Sequence, residues 1–174
     1  MSDLAERIAG LLRDVPDFPQ PGILFKDITP LLADAEAFDA VIHGLAAFAD
    51  VPVDIVAGIE ARGFLLAAAI AYATGTGVVP IRKAGKLPRA THAATYDLEY
   101  GTATLEVHTD AFALASRVLV VDDVLATGGT AEATLQLVER AGGTVAGFSV
   151  ILELAFLKGR TRLAGQAVHA LLTV

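Results

Sequence analysis

Apolar residues recur at helical spacing near the start of the chain, at Leu4, Ile8, Leu11, Leu12 and Val15, predicting an amphipathic helix after a Ser2 cap. The run Pro16-Asp17-Phe18-Pro19-Gln20-Pro21-Gly22 cannot continue it and reads as a connector. Phe38, Val41, Ile42, Leu45 and Phe48 mark a second helix, with Asp34 as its cap. Beyond it the pattern changes. Short continuous apolar runs (VDIVAG, VVPI, RVLVV, TVAGFSVIL) alternate with helical segments opening near Arg62 and Thr130, and Val168 to Val174 can add one more strand. Uninterrupted apolar strands bounded by glycine suit parallel strands covered on both faces. The expected fold is therefore α/β with a doubly wound, mostly parallel sheet, whose ligands gather beyond the C-terminal ends of the strands.

Two segments depart from this alternation. From Gly63 to Ile81 there is no charged residue, a length that could just span a bilayer, but Gly75, Gly77 and Pro80 would break a spanning helix. A buried helix (62–74) followed by a buried strand (78–81) is the better reading. From Ala84 to Asp97 the sequence AGKLPRATHAATYD has no period, as expected of a long functional loop. No repeat or linker divides residues 1–174, so one domain is expected.

Composition narrows the function. With 54% hydrophobic and 19% charged residues the chain is a folding sequence. A net charge of −7 argues against a general nucleic-acid or membrane-surface partner. The absence of cysteine excludes thiolate chemistry and fits a reducing cytoplasm. The acidic start, MSDLAERIAGLLRDV, has no long apolar core and does not read as a secretory signal. The four histidines show no clustered spacing that would hold zinc.

The most informative stretch is Arg117 to Thr130, RVLVVDDVLATGGT. A hydrophobic strand delivers adjacent carboxylates, Asp122 and Asp123, and a loop with Gly128 and Gly129 leads into a helix at Thr130. Glycine lets backbone N–H groups approach an anion, the helix N-terminus adds its dipole, and Thr127 and Thr130 can donate hydroxyls. Adjacent carboxylates make poor phosphate ligands but suit vicinal ribose hydroxyls or Mg²⁺. A solvated turn with an acidic cap would need all these residues to coincide by chance. The sequence has neither the G-x-x-x-x-G-K-[ST] of a P-loop nor a G-x-G-x-x-G. Arg82, Lys83, Lys86 and Arg89 form a basic run directly after a strand, and Arg62 in GIEARGF opens a helix, both good positions for an anion.

VLVVDDVLATGGT resembles the 5-phosphoribosyl-1-pyrophosphate signature of type I phosphoribosyltransferases. The resemblance implies that Asp122 and Asp123 take the ribose hydroxyls, and Mg²⁺ held through the substrate can share them. It also implies that Ala126, Thr127, Gly128, Gly129 and Thr130 cradle the 5′-phosphate. GIEARGF resembles the family's pyrophosphate loop, implying an unusual cis peptide at Glu60–Ala61 and pyrophosphate contacts from Arg62, Arg82, Lys83 and Lys86. In that family the arginine at the position of Arg82 reaches a neighbouring subunit, which implies a homodimer.

PDFPQPGILFKDITPLL and ATYDLEYGTATLEVH resemble, respectively, the N-terminal hood and the mobile loop of enzymes specific for adenine. The hood would span about 15–35 and the mobile loop about 84–97. By this match Leu24, Phe25 and Lys26 would hold adenine, through backbone groups and the Phe25 face, and Glu99 would be the acid/base beside a catalytic Arg62. Lys26 stands where many relatives carry arginine. Tyr100 is read either as loop packing or as a substrate contact. The expected reaction joins adenine to 5-phosphoribosyl-1-pyrophosphate with Mg²⁺, giving AMP and pyrophosphate. Rival readings are a purine phosphoribosyltransferase for a 6-oxo base and a sugar-pyrophosphate-sensing regulator; the latter should carry a basic face or an added DNA-binding domain.

Overall fold

The computed structural model describes residues 2–47, 52–97 and 101–174. Helix α1 (Ser2–Leu11) is followed by two short strands, β1 (Arg13–Pro16) and β2 (Leu24–Asp27), which pair antiparallel as a separate two-stranded hood. Val15, expected at the end of the first helix, therefore lies in β1, and Ser2 opens α1 instead of preceding it. Helices α2 (Thr29–Ala33) and α3 (Ala35–Ala46) come next. Asp34 caps α3, its side chain accepting the Ala37 N–H at 2.8 Å. Phe48 lies outside the described residues.

A seven-stranded sheet forms the body of the chain. It comprises β3 (Ile55–Ile59), β4 (Gly77–Lys83), β5 (Thr91–Asp97), β6 (Thr102–His108), β7 (Arg117–Leu125), β8 (Thr144–Glu153) and β9 (Val168–Thr173), in the order β5-β6-β4-β3-β7-β8-β9. Strands β4, β3, β7, β8 and β9 run parallel, while β6 joins β4 and β5 antiparallel. Helix α4 (Gly63–Thr74) follows β3, and α5 (Gly129–Arg140) follows β7.

Successive side chains along β7 face opposite sides of the sheet, so this central strand must be apolar throughout. Val118 and Val120 pack in one core with Leu135, Leu137 and Val138 of α5. Leu119 and Val121 pack in the other with Val41 and Leu45 of α3 and Leu66 and Ile70 of α4. Each of these β7 valines and leucines is at most 1% exposed.

Two sequence expectations need correcting. The stretch read as a loop from Ala84 to Asp97 is a turn only as far as Ala90, and residues 91–97 are β5, placing His92 in a strand. Strand β4, expected to be buried, has an open face: Val78 is 48% exposed and only Ile81 is buried. Its neighbour α4 carries the uncharged stretch but is a 12-residue helix, and among the described residues no helix is long and apolar enough to cross a membrane.

Adjacent strands β3 and β7 mark the point where the connections diverge. From β3 the chain crosses through α4 to β4 on one side, and from β7 it crosses through α5 to β8 on the other. Loops leaving in opposite directions open a crevice between them. GIEARGF leaves β3 there and VDDVLATGGT leaves β7 there.

Candidate active site

Strand β7 parts from β3 at Val121, opposite Gly58, and continues beside β8 alone until Leu125, opposite Glu153. The acidic pair thus sits within β7, just past its last pairing with β3, instead of at its end. Strand alternation sends the two carboxylates to opposite faces. Asp123 follows Val121 onto the α4 side, where Arg62 caps that helix, and Arg62 Nε lies 2.8 Å from Asp123 Oδ2. The Asp123 side chain is only 7% exposed, so it is a nearly buried carboxylate and not a solvent-facing one. The Arg62 contact is a charge pair and not a directed hydrogen bond. Among the described residues Asp123 Oδ2 remains a buried acceptor with no directed donor.

Asp122 faces the α5 side and, with Val124, lines a small cavity of about 70 Å³ closed by Ala126, Thr127, Gly128, Thr130 and Phe148. Its Oδ1 accepts the Asp123 N–H at 2.9 Å. Burial, and then the neighbouring Asp123 charge, push the Asp122 carboxyl well above the ordinary aspartate value.

The loop between β7 and α5 has the geometry of an anion cradle. Gly128 is the N-cap of α5 in a left-handed conformation, φ 86°, which a side chain would strain. A Cβ there would also fall 2.5 Å from Gly159 O. The first N–H groups of α5 have no helical partner and open beside this cavity.

Across the crevice the Glu60–Ala61 peptide is cis. Glu60, expected only as one side of the cis peptide, organises the basic run: its carboxylate accepts the Lys83 N–H at 2.9 Å, pairs with Lys86 Nζ and lies 3.4 Å from Arg82 Nε. Burial pushes the Glu60 carboxyl up, but the Lys86 hydrogen bond, the Lys83 N–H and the two cationic charges more than reverse this, leaving it below the ordinary glutamate value. Arg82 and Lys86 are thus gathered at one carboxylate and Arg62 at another. Arg89 pairs instead with Asp110, at 2.5 Å.

The hood completes the crevice. Leu24, Phe25 and Lys26 lie on β2. Lys26 Nζ donates to Asp14 Oδ1 at 2.6 Å across the hairpin, so its side chain is committed to the hood. The Arg62 guanidinium lies 4.9 Å from the Phe25 ring centre, and Phe18, read in the sequence as part of the connector, meets Phe25 edge-on at 5.1 Å. Arg62 therefore touches both the hood aromatic and the carboxylate motif. Glu99 and Tyr100 lie outside the described residues.

Residues 31–164 match the model of the phosphoribosyl transferase domain. An adenine phosphoribosyltransferase of Salinispora arenicola is 67% identical, over 98% of this chain and 92% of its own length. The crystal structure of adenine phosphoribosyltransferase from Rhodothermus marinus superposes with a TM-score of 0.95 at 49% identity, covering 100% of both chains. The enzyme from Saccharomyces cerevisiae, solved with adenine and an imino-altritol bisphosphate, gives 0.89 at 39% identity, covering 97% of this chain and 98% of that one. On these matches, and with its glycine loop, carboxylate pair and hood arranged around one crevice, the chain belongs to the adenine phosphoribosyltransferase family.

Proposed function

We infer that this protein transfers the 5-phosphoribosyl group from 5-phosphoribosyl-1-pyrophosphate to adenine, giving AMP and pyrophosphate, a purine-salvage reaction. The observation that carries this reading is Arg62, which contacts Phe25 of the hood and Asp123 of the carboxylate motif at once. A base held at the hood is thereby brought toward a ribose held at the motif.

In this reading Ala126, Thr127, Gly128, Gly129 and Thr130 hold the 5′-phosphate through N–H and hydroxyl donors. Asp122 and Asp123 accept hydrogen bonds from the ribose hydroxyls. Asp123 Oδ2 still has acceptor capacity, and donors at Asp122 would favour its charged form. Backbone groups near Leu24 and Lys26 read the edge of adenine, and the Phe25 ring stacks on its face. N9 attacks C1′ with inversion as the bond from C1′ to the pyrophosphate oxygen breaks, and Glu99 manages the purine proton. Arg62, Arg82, Lys83 and Lys86 take up the charge growing on the pyrophosphate. For this, Arg82 and Lys86 must exchange Glu60 for the substrate. Closure of the turn from Ala84 to Ala90, the part of the expected loop that is not strand, keeps water from the sugar.

The carboxylates of Asp122 and Asp123 are hard oxygen donors of the kind Mg²⁺ takes, and Asp123 Oδ2, beside the Arg62 charge, accepts no directed hydrogen bond among the described residues. Among the described residues no three His, Cys, Asp or Glu side chains cluster, so substrate oxygens and water would complete the ion's shell. When bound, Mg²⁺ would supply Lewis-acid neutralisation of the departing pyrophosphate.

The working form is a homodimer in the cytoplasm. Leu65 and Tyr72 of α4 are 55% and 92% exposed and Val78 of the adjoining β4 is 48% exposed, an apolar face suited to a second copy. Arg82 shares its side of β4 with Val78 and Pro80.

The test is a base panel with labelled sugar pyrophosphate and Mg²⁺. Adenine should be converted to AMP, with hypoxanthine and guanine slower by several orders of magnitude. Comparable turnover of guanine would overturn the assignment.

A further inference from the structure

Glu153 closes β8 in register with Leu125 of β7 and Thr173 of β9, at the rim from which the phosphate loop departs. Its side chain is only 8% exposed and is gripped by Arg160, Nε to Oε1 at 3.0 Å and Nη2 to Oε2 at 2.5 Å. Arg160 Nη1 also donates to Val168 O, the first residue of β9, at 2.8 Å. The Arg160 side chain is itself 47% exposed, so the pair is half-buried, and what it supplies is directional: the planar guanidinium is held on both Glu153 oxygens and on a β9 carbonyl, which fixes where Arg160 sits.

That geometry is imposed on Gly159, the residue before Arg160. A Cβ on Gly159 would fall 2.1 Å from Ala126 O and 2.9 Å from Gly128 N, and one on Gly128 would fall 2.5 Å from Gly159 O. The two backbones therefore abut with no room between them, and Gly159 forms the rear wall of the loop from Ala126 to Thr130. Lys158 turns the chain into this contact through a left-handed residue, φ 56°. Neither Glu153 nor Arg160 lines the cavity beside the loop.

We propose that Glu153 and Arg160 are positioning residues: their ion pair presses Gly159 against the loop and so fixes the directions of the N–H groups that bind the 5′-phosphate. The proposal rests on the reading of Ala126–Thr130 as the phosphate cradle. Without the pair the segment around Gly159 can withdraw, and the loop's donors lose their alignment while every residue that touches substrate is unchanged.

The experiment measures ribose 5-phosphate binding by calorimetry, and steady-state kinetics against each substrate, for Arg160→Met, Arg160→Lys, Glu153→Gln and, as a control on the loop itself, Thr130→Val. Arg160→Met and Glu153→Gln should each weaken ribose 5-phosphate and raise KM for the sugar pyrophosphate about tenfold, the scale of one misaligned charge-assisted hydrogen bond. KM for adenine should change less than about twofold, and Arg160→Lys should recover part of the loss, because a cation again faces Glu153. If Arg160→Met does not fold, the near-isosteric Glu153→Gln carries the test. A lowered melting temperature with ribose 5-phosphate affinity unchanged, while Thr130→Val weakens it, overturns the positioning role and leaves the cradle standing. If neither Thr130→Val nor the pair variants weaken it, the cradle reading itself fails, and the proposal with it.

Discussion

Arg62 Nε lies 2.8 Å from Asp123 Oδ2, joining the loop after β3 to the carboxylate motif of β7. Arg62 follows one of the strands flanking the crevice and Asp123 lies on the other, and their charges are matched before any substrate arrives. The carboxylate keeps Arg62 at the site, and Arg62 balances a carboxylate that is nearly buried. Substrate hydroxyls and pyrophosphate would each have to compete with this pair.

Removing one charge should therefore affect both catalysis and stability. Asp123→Asn should lower kcat/KM about a hundredfold, or roughly 2.7 kcal/mol, the scale of one lost electrostatic contact at a reacting centre. It should also lower the melting temperature, since Arg62 loses its partner. Arg62 is 33% exposed, so the stability cost should stay below the ~3–5 kcal/mol seen when a fully buried pair is broken. Parallel melting and kinetic measurements check this, and a variant with normal kcat/KM would remove Asp123 from the mechanism.

The crevice was legible in the sequence because its strands are continuous apolar runs and its loops carry glycine and charge in sequence order. What escaped was mostly tertiary. THAATYD of β5 has too few large apolar residues to signal a strand, and it becomes one by pairing with β6 from Thr91↔His108 to Asp97↔Thr102. The hood strands RDVP and LFKD are four residues each and carry proline or charge, and the Lys26–Asp14 bridge across them has no local signal. The burial of Asp123 depends on α4 arriving from another part of the chain. Glu60 looked like a neighbour of Arg62 until the basic run folded back onto it.

Glu99 is expected to act chiefly in the transition state. Glu99→Gln should then reduce kcat about a hundredfold, within the range for a positioned acid/base, while KM for adenine moves by much less. Steady-state kinetics with both substrates varied separates the two parameters. A change confined to KM would reassign Glu99 to binding.

At the opposite end of the sheet, Asp54 ties the start of β3 to the start of β7. It accepts the Arg117 N–H at 2.8 Å, Nε at 3.0 Å and Nη2 at 2.8 Å. The Arg117 side-chain and backbone hydrogen bonds hold its carboxyl down to about 2. The folded value lies below the ordinary aspartate value of about 3.9, so the stabilisation is present above that pH and is lost as pH falls toward about 2. Melting temperature should fall between about pH 4 and pH 2, and the slope should be shallower in Asp54→Asn. An identical slope in the variant would assign the acid sensitivity to other carboxylates.

Subunit exchange tests whether the active site is composite. Arg82 lies 3.4 Å from Glu60 Oε2 and donates to Lys86 O at 3.3 Å. Both contacts are long, and its face of β4 is the one that exposes Val78. If Arg82 crosses a dimer interface to the neighbour's pyrophosphate, Arg82→Ala and Asp123→Asn should each be nearly inactive, since one missing cation at a developing pyrophosphate costs roughly 3 kcal/mol. Mixing the two variants and allowing exchange creates dimers in which one site has an intact Asp123 and receives an intact Arg82 from the other chain. The second site of such a dimer lacks both. Random exchange makes about half the dimers mixed, each with one working site of two, so activity should return toward about a quarter of the unmodified enzyme. If exchange is confirmed by mass spectrometry and no activity returns, Arg82 serves its own subunit's site or none.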